Sequence, residues 1–170
     1  TRRQAPQTAI TEGGVGLASG DVLQVEPESR HRLGVRVLRN EHVRIGEASV
    51  GFDLAGIDDY HARGAGHGPD LSRALEGRDE TLPVVLLAHQ PKAVAEAREK
   101  GVDLQLSGHT HGGQIWPFHY FVKLQQPVVA GLVEDGDTQM YVSCGTGYWG
   151  PPMRLFAPAE VTQIVLRTVT

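Results

Sequence analysis

One cysteine, Cys144, stands among 170 residues. That excludes an internal disulfide and a Cys-based zinc cluster. Cys144 itself reads as a small buried side chain at a strand end. No apolar run reaches the roughly 18 residues of a membrane-spanning helix, and no secretory signal is legible. A basic excess is missing too. The chain has 16 Lys and Arg against 20 Asp and Glu, a formal net charge of -4, and a non-specific nucleic-acid binder needs a basic face. What is present suffices for a core: 40% hydrophobic and 21% charged residues fit one compact domain or a large piece of one.

The first residues differ from the rest. Residues 1–32 mix Gly, Ser, Thr and Glu without a long apolar period and read as a loose segment, with a short strand near 21–25. An organised domain is expected over 33–170. "VRVL" (35–38) and "HVRI" (42–45) are short strand candidates, and "SVGFDLAGI" (49–57) a longer one. "PDLSRALEG" reads as a short helix with Pro69 near its start and Gly77 at its end. In "LPVVLLAH" the run Val84 to Leu87 has the look of a strand buried on both faces. "PKAVAEAREKG" follows as a helix and "VDLQLSG" as the next strand, making a βαβ unit. From Gln126 on, "VVAGL", "QMYVSCG" and "EVTQIVLRTV" read as short antiparallel strands. The class is α/β, with two packed mixed sheets flanked by helices.

Three histidines occupy comparable places. His89 ends "VVLLAH", and His109 and His111 follow "LQLSG". Both segments end at the carboxyl edge of neighbouring strands, where open α/β sheets put their ligands. In an extended segment, positions i and i+2 project to the same side. The flanking Gly108, Gly112 and Gly113 let the backbone turn sharply and approach an ion. Neutral imidazole is the commonest metal ligand, so "GHTH" suits one metal twice or two neighbouring metals once each. His31, His42, His61, His67 and His119 read as ordinary polar histidines.

"LLAHQP" followed by "GVDLQLSGHTHGGQI" resembles the C-terminal half of the calcineurin-like metallophosphoesterases, and most of all a bacterial branch whose members are often membrane-anchored. "LGVRVLRNE", "LAGIDD" and "YVSCGTGYWGPPMRL" fit that branch as well, so the likeness runs from about Leu33 to Arg167. It implies a four-layer fold whose N-terminal portion is incomplete here. It also implies a metal-dependent phosphoester hydrolase with two divalent ions per complete site, manganese, iron or zinc. By the resemblance His89 and His109 share one ion and His111 serves its neighbour, and a hydroxide bridging the two ions attacks phosphorus in line.

The family's earlier ligands are an Asp-x-His, a Gly-Asp-x-x-Asp and a Gly-Asn-His-Asp/Glu. No counterpart for them is expected in this chain, so the family's acid histidine and bridging aspartate are unassigned. The chain is accordingly read as a fragment, a wrongly started product, or one whose first residues come from another frame. Three neutral imidazoles bring no negative charge to hold two dications together, so at most one weakly held ion is expected here. Two other readings stand beside the hydrolase: an inactive phosphoesterase-like remnant acting as a binding module, and a mononuclear three-histidine zinc site.

Asp58 and Asp59 are the best local carboxylates, suited to replacing the family's missing ligands, to orienting an imidazole, or to capping a turn after the strand. Arg154 suits a phosphate clamp or a surface pair. "IWPFHYFVKL" (115–124) places four aromatics beside the histidine loop. It reads as a packed Ω-like loop, or as an apolar wall for a lipid-linked phosphoester or a membrane surface. Association through an open sheet edge is a further expectation. The expected location is cytoplasmic or peripheral at the membrane.

Overall fold

The computed structural model describes residues 36–47, 50–65 and 67–167. The loose segment expected over 1–32 lies outside them, and so does the start of the domain expected over 33–170. Residues 36–38, part of the first expected strand, carry no regular structure.

Six strands form one mixed sheet: β1 (Glu41–Ile45), β2 (Phe52–Gly56), β3 (Val84–Leu87), β4 (Leu104–Ser107), β5 (Gly131–Asp135) and β6 (Thr138–Val142). Their order is β1-β2-β3-β4-β6-β5. The α/β class is as expected, and the described residues supply one sheet with helices beside it. The central pairs β2·β3, β3·β4 and β4·β6 are parallel, and the outer pairs β1·β2 and β5·β6 are antiparallel. The last third is therefore not wholly antiparallel, because β6 joins β4 in parallel and only β5 runs against it.

Helix α1 (Leu71–Ala74) is capped by Asp70, whose Oδ1 accepts the Arg73 N–H at 2.9 Å. A carboxylate at that place satisfies a backbone donor the helix leaves open. The βαβ helix begins as a 3-10 turn at Pro91–Ala93 and continues as α2 (Val94–Glu99). Proline suits the first turn because its missing N–H is not needed there.

Two expectations fail. The aromatic stretch is not an Ω-loop: His119–Gln125 is a helix, α3, none of whose residues is buried. The expected strand after Glu160 is irregular up to Val165. Beside β6 the edge is already taken by β5. Instead the tail is pinned across the sheet: Tyr141 Oη donates to Glu160 Oε1 at 2.8 Å, and Leu166 packs with Leu54 and Val85.

One face of the sheet meets the helices. Ala55, Val84 and Leu86 lie there with Leu71, Ala74 and Ala97, all at 0–1% exposure. Met140 and Val142 of β6 continue that face under Val94. On the opposite face Phe52, Leu54 and Val85 are buried, and Leu87, Leu104 and Leu106 only half-buried.

Candidate functional site

Strands β2, β3 and β4 are neighbours and parallel, so their carboxyl ends share one rim, the usual ligand edge of such sheets. The rim is braced from below. Gln105, fully buried, donates to Ser107 Oγ at 2.8 Å, and Ser107 Oγ donates to the Ala88 carbonyl at 2.7 Å. The Gly108 N–H reaches the His89 carbonyl at 3.0 Å. These bonds tie the loop after β3 to the loop after β4.

On that brace two imidazoles meet. His109 Nδ1 lies 3.1 Å from His89 Nε2, with ring centroids 4.8 Å apart and planes at 78°. Burial first, then the neighbouring His89 ring, push the His109 pKa down to about 4, against the opposing pull of Asp59. His109 is therefore neutral at physiological pH, the form that binds metals.

His111 is placed differently from the expectation. The segment is not extended: His109 has φ 69°, Thr110 φ -77° and ψ -20°, and His111 φ 49°. Left-handed, right-handed and left-handed residues in succession make a tight turn. Thr110 anchors it, its hydroxyl donating to the Val129 carbonyl at 2.6 Å. Non-glycine residues at positive φ cost on the order of 1–3 kcal/mol each and gather at functional sites. His111 is buried beneath the turn, and its charged form opposes protonation of His109.

The glycines after it serve packing. A Cβ on Gly112 would meet Cys144 Sγ at 2.8 Å, and one on Gly113 would meet the His119 Cβ at 2.4 Å. Both have positive φ, 65° and 81°. They admit the Cys144 loop and the start of α3 against the histidine turn.

The loop after β2 brings Asp59, a candidate from the sequence, beside the imidazoles, together with His61 and Gln90, which were not candidates. Gln90 Nε2 donates to both Asp59 oxygens at 3.2 Å, and the His61 N–H donates to Asp59 Oδ1 at 2.8 Å. His61 Nδ1 is 2.8 Å from the same oxygen, and the His61 ring centroid is 6.0 Å from that of His109. Burial raises the Asp59 pKa, but the His61 backbone bond, the His89 charge, Gln90 and the His61 ring outweigh it, so the carboxyl is held below its usual range. The signal was available. Asp59-Tyr60-His61 is itself an Asp-x-His tripeptide, and β2 is the parallel neighbour of β3.

Asp58 is paired away from the rim histidines. It takes Arg39 Nε and Nη2, each at 3.1 Å, and lies 3.1 Å from His67 Nδ1. Arg154 turns to backbone: it donates to the carbonyls of Ala157 at 2.7 Å, Cys144 at 2.8 Å and His111 at 3.0 Å, and to Gly147. It thereby ties the loop after β6 to the carbonyl of His111.

Comparison with known proteins gives this rim a context. No family profile and no solved structure matches the chain. It is 47% identical over 137 residues to an uncharacterized metallophosphoesterase of Helicobacter pylori, covering 79% of this chain and 36% of that protein. It is 41% identical over 149 residues to a transmembrane protein with metallophosphoesterase domain of Danio rerio, covering 82% and 34%. It is 32% identical over 140 residues to the uncharacterized metallophosphoesterase YkuE of Bacillus subtilis, covering 79% and 48%. The chain belongs to the calcineurin-like metallophosphoesterase family, a family of enzymes. It spans roughly a third to a half of the length of these relatives. Among the described residues no helix is long and apolar enough to cross a membrane.

The family implies a divalent metal, which the donors present suit only in part. Two nitrogens about 2.0–2.1 Å from one ion stand roughly 3 Å apart, and the His89–His109 spacing of 3.1 Å matches that. Among the described residues, however, no group of three or more His, Cys, Asp or Glu side chains is arranged to hold an ion. The pair fits two positions on a metal, and the described residues do not complete a shell.

Proposed function

We propose that this chain carries the imidazole share of a metal-dependent phosphoester hydrolase site, with His89 and His109 on one ion and His111 directed to a second. The observation that supports this most is the 3.1 Å approach of His89 and His109 on the rim shared by parallel strands. Bound divalent metals would supply a hydroxide able to attack phosphorus in line.

The chain's own residues prepare that site. Burial keeps His109 neutral and so able to ligate. The brace through Gln105, Ser107 and Gly108 fixes the two loops at one separation. Asp59 sets negative charge beside two imidazoles that bring none, and through Gln90 and His61 it is held in place. Groups of this kind typically alter metal affinity 10–100-fold when removed.

The incomplete shell favours a second reading for the chain by itself: a phosphoesterase-like domain that binds one ion weakly and does not turn over. Cobalt titration followed by absorption, with aryl phosphate hydrolysis in manganese alongside, separates the two. The hydrolase reading requires turnover that His111→Ala abolishes; turnover that survives the change rules out the assignment. Weak cobalt binding without turnover, lost in His89→Ala and His109→Ala, leaves the second reading. Asp59→Asn should weaken cobalt binding roughly tenfold.

A further inference from the structure

The exposed apolar side chains are not scattered evenly. Trp116, Phe118, Tyr120, Phe121 and Leu124 are exposed on and before α3, and Tyr148, Trp149, Met153, Leu155 and Phe156 on the loop after β6. These two stretches are joined into one surface. The side chain of Gln114, fully buried, donates to the Trp149 carbonyl at 2.7 Å and accepts the Trp149 N–H at 2.6 Å. Trp116 N–H donates to the Leu155 carbonyl at 3.1 Å. The Phe118 ring stands 5.6 Å from Phe121 and 6.0 Å from Trp149. An open groove of about 830 Å³ runs between them, with Trp116, Lys123, Leu155 and Phe156 on its walls.

The charge of this surface is as uneven as its hydrophobicity. Residues 112–131 and 144–159 contain no Asp or Glu, although the chain has 20; of their cations Lys123 is exposed, while the Arg154 guanidinium is turned to backbone carbonyls. A patch of this kind on a soluble domain marks an interaction site. Aromatic rings that are apolar in body and polar at the tip favour the boundary between water and lipid. Lysine beside them is attracted by anionic headgroups. A second copy is a poorer occupant: an isologous contact through this patch would set Lys123 near its own counterpart with no carboxylate to offset it.

We propose that α3 and the loop after β6 form a docking surface for an anionic lipid bilayer. The surface adjoins the histidine turn through Gly113, which packs on His119. Docking would therefore leave the rim at the membrane surface.

The chain's two tryptophans, Trp116 and Trp149, both lie on this patch, so intrinsic fluorescence reads it directly. The 170-residue chain is to be mixed with vesicles of phosphatidylcholine plus phosphatidylglycerol, and with vesicles of phosphatidylcholine alone. The expected result is a blue shift and co-flotation with the anionic vesicles, weakened by salt. The triple variant Phe118→Ser, Phe121→Ser, Phe156→Ser changes exposed positions only and should cut binding at least roughly tenfold. Val50→Ser, exposed on the connection between β1 and β2 at the far edge of the sheet, should leave it unchanged. Far-UV circular dichroism checks that each variant is folded. No shift and no co-flotation would overturn the proposal. So would equal loss in the two variants, which would show general stickiness, or vesicle-independent self-association abolished by the triple variant, which would identify a second copy as the occupant.

Discussion

The two faces of the sheet are finished to different degrees. Toward the helices, Ala55, Val84, Leu86, Met140 and Val142 are sealed almost completely. Toward the other side, on the same strands, Leu87, Leu104 and Leu106 keep part of their surface in water, with Leu38 and Leu166 packed over them. Alternation along a strand sends neighbours to opposite faces, so β3 alone shows the contrast between Leu86 and Leu87. The rim bonds belong to the sealed face, because Gln105 and Ser107 point the same way as Leu86. The imidazole pair thus rests on the better-packed half of the molecule.

The largest expected effect tests that contrast directly. Leu86→Ala should cost about 3 kcal/mol, since a fully buried leucine leaves a cavity that its neighbours fill only in part. Leu106→Ala, half-buried on the other face, should cost about 1 kcal/mol, for less apolar surface is returned to water. Urea unfolding of both variants gives the comparison, and equal losses would mean that the faces are packed alike.

Next comes Gly113→Ala, expected to cost about 1–3 kcal/mol, from a strained φ and a forced contact with His119. Because the same turn carries His109 and His111, cobalt absorption should weaken in this variant while Leu106→Ala leaves it intact. That pairing separates damage to the rim from damage to the face beneath the tail. A cobalt spectrum unchanged in Gly113→Ala would show that α3 and the turn move independently.

Much of the sealed half was legible in the sequence. "VVLL" and "LQLS" read as neighbouring strands because aliphatic runs flanked by glycine and proline leave few alternatives. The meeting of His89 with His109 follows from strand-end placement alone. The course of His111 was not legible, since its turn is set by Cys144, Val129 and Arg154, each remote in sequence. For Asp59 the sequence leaves both a turn cap and an imidazole-orienting role open, and it does accept the His61 N–H. Its place beside the imidazoles depends on β2 lying next to β3, which no local pattern reports. Helix α3 escaped because none of its residues is buried and only His119 and Val122 are half-buried, too narrow a contact to leave an apolar stripe in the sequence. The tail after Glu160 alternates like a strand, but side-chain anchors decide its path.

Those anchors give the smallest and most specific prediction, and it concerns the less-covered face. Glu160 accepts from Tyr141 Oη at 2.8 Å, from the Cys144 N–H at 3.0 Å and from Thr162 Oγ1 at 3.3 Å. Burial pushes its pKa up, yet the Cys144 N–H and the hydroxyls of Tyr141, Ser143 and Thr162 outweigh that, and the folded value lies below the usual 4.5. The unfolded chain therefore binds the proton first as pH falls. Stability from this carboxylate is fully present above about 4.5 and is lost as pH drops through the lower folded value. Glu160→Gln should remove that component of the acid dependence and cost less than about 1 kcal/mol at neutral pH, because solvent partly screens a half-buried group. Hydrogen exchange at the amides of residues 144 and 162, compared at neutral and acid pH, reads the tail locally. If both proteins show the same acid sensitivity there, the tail is held by Leu166 packing and not by its carboxylate. The second face would then be closed by hydrophobic contact, as the first is.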